Sequence, residues 1–205
     1  MYELYQTIAL VVVLVFSAIV HEVMHGAVAE QLGDPTARNE GRLTLNPLVH
    51  LDPFGSILLP LMSLLASGRV YFAYAKPVPF NPSAFKNIRL GTALVAAAGP
   101  LSNLFLAIIS ATLLKFGLGN EILGPILRAG VITNISLFIF NLLPIPPLDG
   151  SKVFFSFASY RWHQLLFTYE RYGIFILLFL IFSGLLTPIM TFCYAIFFFF
   201  FGFIF

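Results

Sequence analysis

The sequence predicts an all-α membrane protein: a polytopic transmembrane helix bundle with short membrane-associated β-strands and one re-entrant segment. Three observations lead there. The 205 residues are 59% hydrophobic and only 10% charged, whereas soluble domains carry about 25% charged residues. Several apolar runs reach the roughly 20 residues needed to cross a bilayer. A polar cluster, His21-Glu22-Val23-Met24-His25, lies inside the first of them. Ionisable groups at membrane depth are costly and mark function.

The rest of the composition narrows the field. A net charge of +2 is too small to suggest nucleic acid as a partner, so the expected surroundings are a lipid bilayer. The one cysteine, Cys193, excludes an internal disulfide and any cysteine-based metal cluster. Its plain role is as a small apolar packing residue. No basic region precedes the first apolar run, and Met1 to Thr7 hold no Lys or Arg. A secretory signal normally has both parts, so the run is read as a retained span. No internal repeat and no soluble domain is visible, and residues 1–205 are read as a single transmembrane domain.

The first run, Leu4 to Ala29, is about 39 Å long as a helix, enough to span. Glu30, Gln31 and Gly33-Asp34-Pro35 end it, and His21 lies roughly 13 Å inside that end. Residues 31–53 are polar and rich in turn formers. Within them Gly41-Arg42-Leu43-Thr44-Leu45-Asn46-Pro47 alternates polar and apolar, the pattern of a short strand. Leu51-Asp52-Pro53-Phe54-Gly55 reads as a turn. Ser56–Ser67 is apolar but short and broken by Pro60, the profile of a re-entrant rather than a spanning segment. Val70–Phe80 alternates aromatics before Lys76-Pro77-Val78-Pro79 and predicts a second extended segment.

Leu90–Leu114 is the next spanning run. Ala97, Ala98 and Gly99 within it would let another helix approach closely. Gly117–Glu121 is a turn. Ile126–Leu143 is the third run, and it ends in Asn141-Leu142-Leu143-Pro144-Ile145-Pro146-Pro147-Leu148-Asp149-Gly150. Those prolines cannot continue a regular helix. Broken backbone at membrane depth is tolerated where it is buried in protein or lines a cavity, which points to a second half of the site. Ser151–Glu170 reads as interfacial, with Trp162 and tyrosines among charges. Tyr172–Phe205 is almost wholly apolar and is split at Ser183-Gly184 and Pro188, giving either one kinked span or a tight hairpin.

Charge distribution chooses between topologies. If Ser56–Ser67 dips in and returns, the inner loops hold Arg38, Arg42, Arg69, Lys76, Lys86, Arg89, Lys152, Arg161 and Arg171, and only Lys115 and Arg128 lie outside. If it crosses, the bias nearly vanishes. The positive-inside rule therefore favours the re-entrant path with the N-terminus outside. That path also puts Asp149 at the same membrane face as the histidines. The expected location is a multi-pass cell-membrane protein with its active site toward the cytosol.

On a helix, residues i and i+4 share a face, so His21 and His25 can grip one metal ion, with Glu22 beside it as a base. Catalytic zinc takes three protein ligands and keeps a fourth position open. The third ligand is best supplied by Asp149, which follows a broken helix end on the right side. Asp52 and His50 are alternatives, because their loop follows the first helix. Asn103 reads first as a bond between helices, and His163 beside Trp162 as an interfacial residue. Asn134-Ile135-Ser136 fits a glycosylation motif but lies in a span.

Taken together, His21-Glu22-x-x-His25, Ala98-Gly99-Pro100-x-x-Asn103 and Asn141-x-x-Pro144-x-Pro146-x-Leu148-Asp149-Gly150 resemble the site-2 protease family of intramembrane zinc metalloproteases. Gly41 to Pro47, His50-x-Asp52-Pro53-x-Gly55 and Ala75-Lys76-Pro77-Val78-Pro79 resemble its short bacterial branch, and no stretch fits a PDZ or CBS domain. The resemblance extends over residues 18 to 151. It implies one Zn2+ held by His21, His25 and Asp149, Glu22 as catalytic base, and transmembrane protein substrates cut near the cytosol. It suggests Asn141 as a contact to substrate backbone or oxyanion; Asn103, beside its reading as a bond between helices, is the second candidate for substrate binding. An extended substrate would need a strand edge, for which Leu43–Leu45 is the candidate. The rival function is a non-proteolytic metal-binding scaffold or chaperone, against which Glu22 speaks, since a pure metal site needs no base.

Overall fold

The computed structural model describes residues 2–52, 76–158 and 172–202, together with Leu58 and Leu65. Among the described residues three helices are long and apolar enough to cross a membrane: α1 (Tyr2–Gln31), α3 (Ile88–Lys115) and α4 (Leu123–Asn141). Shorter helices are α2 (Thr36–Asn39) and α5 (Asp149–Ser156). Helices α6 (Tyr172–Phe182) and α7 (Leu186–Phe201) follow, bent by 89° at the break between them. The break carries Ser183-Gly184, with Gly184 at φ +74°, a left-handed conformation that glycine adopts without steric cost.

α1, α3 and α4 pack on one another, and α5 packs on α3. α1 and α4 run parallel, with α3 antiparallel between them. At one end the Tyr5 hydroxyl donates to Ile122 O at 2.5 Å. At the other, Asp149, just past α4, meets His21 and His25 of α1. Sequence dictates which faces meet. Ser17, His21, His25 and Ala29 recur every four residues and are all buried, whereas Leu10, Val11, Val12, Val15 and Phe16 are exposed, as suits a lipid-facing surface. α3 answers with small buried residues: Gly91, Ala93, Ala96, Ala98 and Gly99. Without large side chains the backbones can approach closely. The Asn87 side chain caps α3 by accepting from Leu90 N at 3.0 Å, and Pro100 inside the helix has no N–H to offer Ala96 O.

α1 ends and α3 begins at the same end of the bundle. Ala29, Phe85 and Val95 form one buried cluster, and the Asn81 N–H donates to Asp34 Oδ2 at 2.5 Å. The two ends of the chain between them therefore lie together. The segment expected to be re-entrant, Ser56–Ser67, lies outside the described residues apart from Leu58 and Leu65.

The expected β-strands are not found: among the described residues there is no strand. Residues 41–46 hold a turn and bends and lead into a 3-10 turn at Pro47–His50, and among the described residues 76–81 have no ladder partner. The polar–apolar alternation has another cause. Gly41 turns the chain at φ +65°, and Leu43 comes to lie against Gly26. Arg42, only 5% exposed, satisfies the neighbouring backbone in place of a ladder. It donates to Val49 O, to Lys76 O at 2.7 Å and to Pro77 O at 3.2 Å. Leu43–Leu45 is accordingly not a strand edge.

Candidate metal centre

His21 and His25 lie one turn apart on the buried face of α1, and Asp149 is the first residue of α5. One ligand atom from each of the three falls within 4.8 Å of the others. Asp149 Oδ2 is 3.0 Å from His21 Nε2 and 3.3 Å from His25 Nε2. The corner that delivers Asp149 is held by a cluster of Leu143, Leu148 and Leu177, so α6 packs behind it. Gly150 is required there, because a Cβ would strike the carbonyl group of Leu142.

The opposite edge of each imidazole fixes its protonation. His21 Nδ1 donates to Asn103 Oδ1 at 2.6 Å, and His25 Nδ1 donates to Val95 O at 2.7 Å. In the neutral rings, with the proton on Nδ1, both Nε2 atoms present lone pairs, and Asp149 presents a third acceptor. Three acceptors turned on one point repel one another unless a cation sits between them. Ring N–H groups tied to a carbonyl or carboxylate are how metal-ligating histidines are usually oriented. The donor set of two imidazoles and one carboxylate suits catalytic zinc. Gly99 completes the cradle: a Cβ there would lie 2.5 Å from both Nε2 atoms.

A cavity of about 600 Å³ opens on this cluster and is lined by His21, Glu22, His25, Asn141 and Asp149, and by Pro77, Val78 and Phe80. Glu22 points into it, and its Oε2 accepts the Val78 N–H at 2.9 Å. The Asn141 amide donates to Leu137 O at 3.0 Å and borders the same space. His50, one alternative third ligand, is elsewhere: it is buried, with Nε2 donating to Thr44 O at 2.8 Å. Asp52, the other alternative, is not part of the cluster.

Asn103, considered above as a substrate contact, is 0% exposed and does not line the cavity. Its amide is used up inside the bundle, between His21, Asn134 and Ser17. Gly99, Val95 O and Asn134 were not identified as site components from the sequence. Ala98-Gly99-Pro100 read as a packing motif, and nothing in a linear chain says that its glycine would face two ligand nitrogens.

The profile of peptidase family M50 matches residues 120–185. The chain is 44% identical over 153 residues to YwhC of Bacillus subtilis, covering 70% of this chain and 66% of that protein. It is 32% identical over 140 residues to Rip2 of Mycobacterium tuberculosis, covering 65% and 51%. It is 33% identical over 137 residues to MJ0611 of Methanocaldococcus jannaschii, covering 66% and 63%. All three relatives are named as zinc metalloproteases, and the chain spans between about half and two thirds of their lengths. No solved structure matches the chain. The ordered motifs, the metal-ligand cluster and these similarities lead to one assignment: the chain belongs to peptidase family M50, the site-2 protease family, whose metal is zinc.

Proposed function

We propose that the chain is an intramembrane zinc metalloprotease that hydrolyses peptide bonds of transmembrane protein substrates near the cytosolic side. In this reading Glu22 is the general base and His21, His25 and Asp149 are the zinc ligands. The observation that carries it is the Glu22 carboxylate in one cavity with that ligand cluster, on a helix built to span a bilayer.

Zinc, when bound, supplies a Lewis acid that polarises the scissile carbonyl and lowers the pKa of a bound water from about 15.7 toward about 7. The chain supplies the proton transfers. Glu22 Oε2 is committed to the Val78 N–H, which leaves Oε1 to take the proton of the attacking water. The same carboxyl then hands that proton to the leaving amine. Asn141 borders the cavity with one amide hydrogen and its oxygen uncommitted by the bond to Leu137 O, suited to hold an unwound substrate backbone. The excess of Lys and Arg at the histidine end, such as Arg38, Lys86 and Lys152 against Lys115 and Arg128 at the other, supports the cytosolic side.

The test is reconstitution of the purified protein with a single-span substrate and mass spectrometry of the products. A cut within the substrate's span, abolished by a chelator and restored by zinc, is expected. Intact substrates under zinc-replete conditions would overturn the reading.

A further inference from the structure

We propose that Asn134 is a positioning residue for the metal centre: it orients Asn103, and through it sets the tautomer of His21. The proposal rests on the zinc-site reading above. Nothing in the sequence pointed to it, since Asn134 sits in an apolar span and matched only an irrelevant modification motif.

A backbone carbonyl can only accept a hydrogen bond. Asn134 Nδ2 donates to Gly130 O at 2.8 Å, one turn back on α4. That bond decides which end of the Asn134 amide is which, and leaves Oδ1 facing α3. Asn103 must therefore meet it with Nδ2, and does so at 2.9 Å. The same Nδ2 donates to a second backbone acceptor, Ser17 O on α1, at 3.3 Å. With its NH2 group fixed on these two oxygens, Asn103 has only Oδ1 to present to His21 Nδ1, at 2.6 Å. The imidazole must then carry its proton on Nδ1 and turn the Nε2 lone pair toward Asp149 and the metal position.

The opposite arrangement is a real competitor. If the Asn103 amide turned over, its NH2 group would force His21 Nδ1 to accept. The proton would move to Nε2, where Asp149 Oδ2 at 3.0 Å would hold it, and a metal would find no lone pair. Asn134 works against that state. The chain of amides links α1, α3 and α4 and is sealed from water: Asn103 is 0% and Asn134 2% exposed. Buried amides without partners are expensive, so each bond in the series constrains the next. The close contact needed between α3 and α4 is also built in, since Gly130 lies against Ser110 and has no side chain to hold them apart.

The experiment is a double-mutant cycle on zinc affinity, measured by chelator competition on full-length protein in detergent. Asn103→Leu is expected to weaken zinc about 10–100-fold, as for loss of a partner that orients a ligating histidine. Asn134→Leu should weaken it about tenfold, near the lower end of that range. The double variant should bind within about twofold of Asn103→Leu alone, because with Asn103 gone there is nothing left for Asn134 to orient. Independent losses that multiply would overturn the proposal, as would Asn134→Leu with wild-type affinity. A second measurement needs no variant. In zinc-loaded wild type with 15N-labelled histidine, the His21 Nδ1–H should be visible and exchange slowly, because its partner is sealed in the bundle. A rapidly exchanging Nδ1–H would also overturn the relay. Wild type that binds no zinc at all would instead remove the metal-site reading, and the relay with it.

Discussion

Gly99→Ala is the smallest change expected to abolish the metal centre. The added methyl carbon would sit 2.5 Å from His21 Nε2, 2.5 Å from His25 Nε2 and 2.6 Å from His25 Cε1, where ordinary contact begins at 3.4 Å. Each ring must retreat by about 0.9 Å or the helices must part. Zinc–imidazole bonds are about 2.0–2.1 Å long and a competent site tolerates departures of about 0.2 Å. The displacement therefore exceeds the tolerance several-fold for two ligands at once. Zinc affinity should fall by more than the roughly 100-fold that loss of an outer partner can cost. The three nearest atoms are all histidine ring atoms, so the helix itself should form and the protein should still elute as wild type. The assay is zinc per chain by elemental analysis, with chelator competition and thermal unfolding of the metal-free form as controls. Gly99→Ala with full zinc and wild-type affinity would refute the placement of Gly99 behind the ligand nitrogens, and the cradle with it.

His21→Ala and Asp149→Ala should each lose the one expected zinc, read by elemental analysis; full occupancy in Asp149→Ala would return the third ligand to open question. Arg42→Ala should release Lys76 O and Pro77 O and loosen the segment that holds Glu22 through Val78, lowering turnover more than zinc content; the check is the ratio of the two. Burial works against the ionised form of Asp34, but hydrogen bonds from the Thr36 hydroxyl and the backbone of Asn81 and Thr36 outweigh it and hold its pKa below 3.8. Its folded-state pKa is thus depressed, so its stabilisation is present above about 3.8 and is lost as pH falls through the folded value. Asp34→Asn should cost about 1–3 kcal/mol at neutral pH, and the gap from wild type should close in acid unfolding. Cysteines placed at Arg38 and Lys86 should label from one and the same side, as the shared bundle end of Asp34 and Asn81 requires, and the proposed orientation makes that side the cytosolic one.

The local parts of the site were legible because they depend on short spacings. His21 and His25 share a face through helix periodicity alone, and Glu22 travels with them. Asp149 could be narrowed to because a proline-broken helix end and the charge bias put it on the right side. What was not legible depends on which helices cross, and at what height. Asn103 reads from the sequence as a bond between helices and is one, but that its oxygen would meet His21 Nδ1 depends on how α1 and α3 cross. Gly99 looked like packing, yet the crossing of α1 and α3 aims it at two nitrogens. Asn134 is one polar residue in a span until α3 is laid beside it. The supposed strand at Gly41–Pro47 shows the reverse error. A period of two is a strand signal only when a partner lies alongside, and here a buried arginine binds the neighbouring carbonyls instead.

In the proposed mechanism Glu22 acts as a proton carrier beside a metal held by other residues. The decisive variant is zinc-loaded Glu22→Gln, an almost isosteric change that leaves the three proposed ligands in place. The variant should hold zinc at the wild-type level while cleavage of a transmembrane substrate falls about 10²–10⁴-fold, the usual contribution of a general base. Cleavage at the wild-type rate by the zinc-loaded variant would contradict the account.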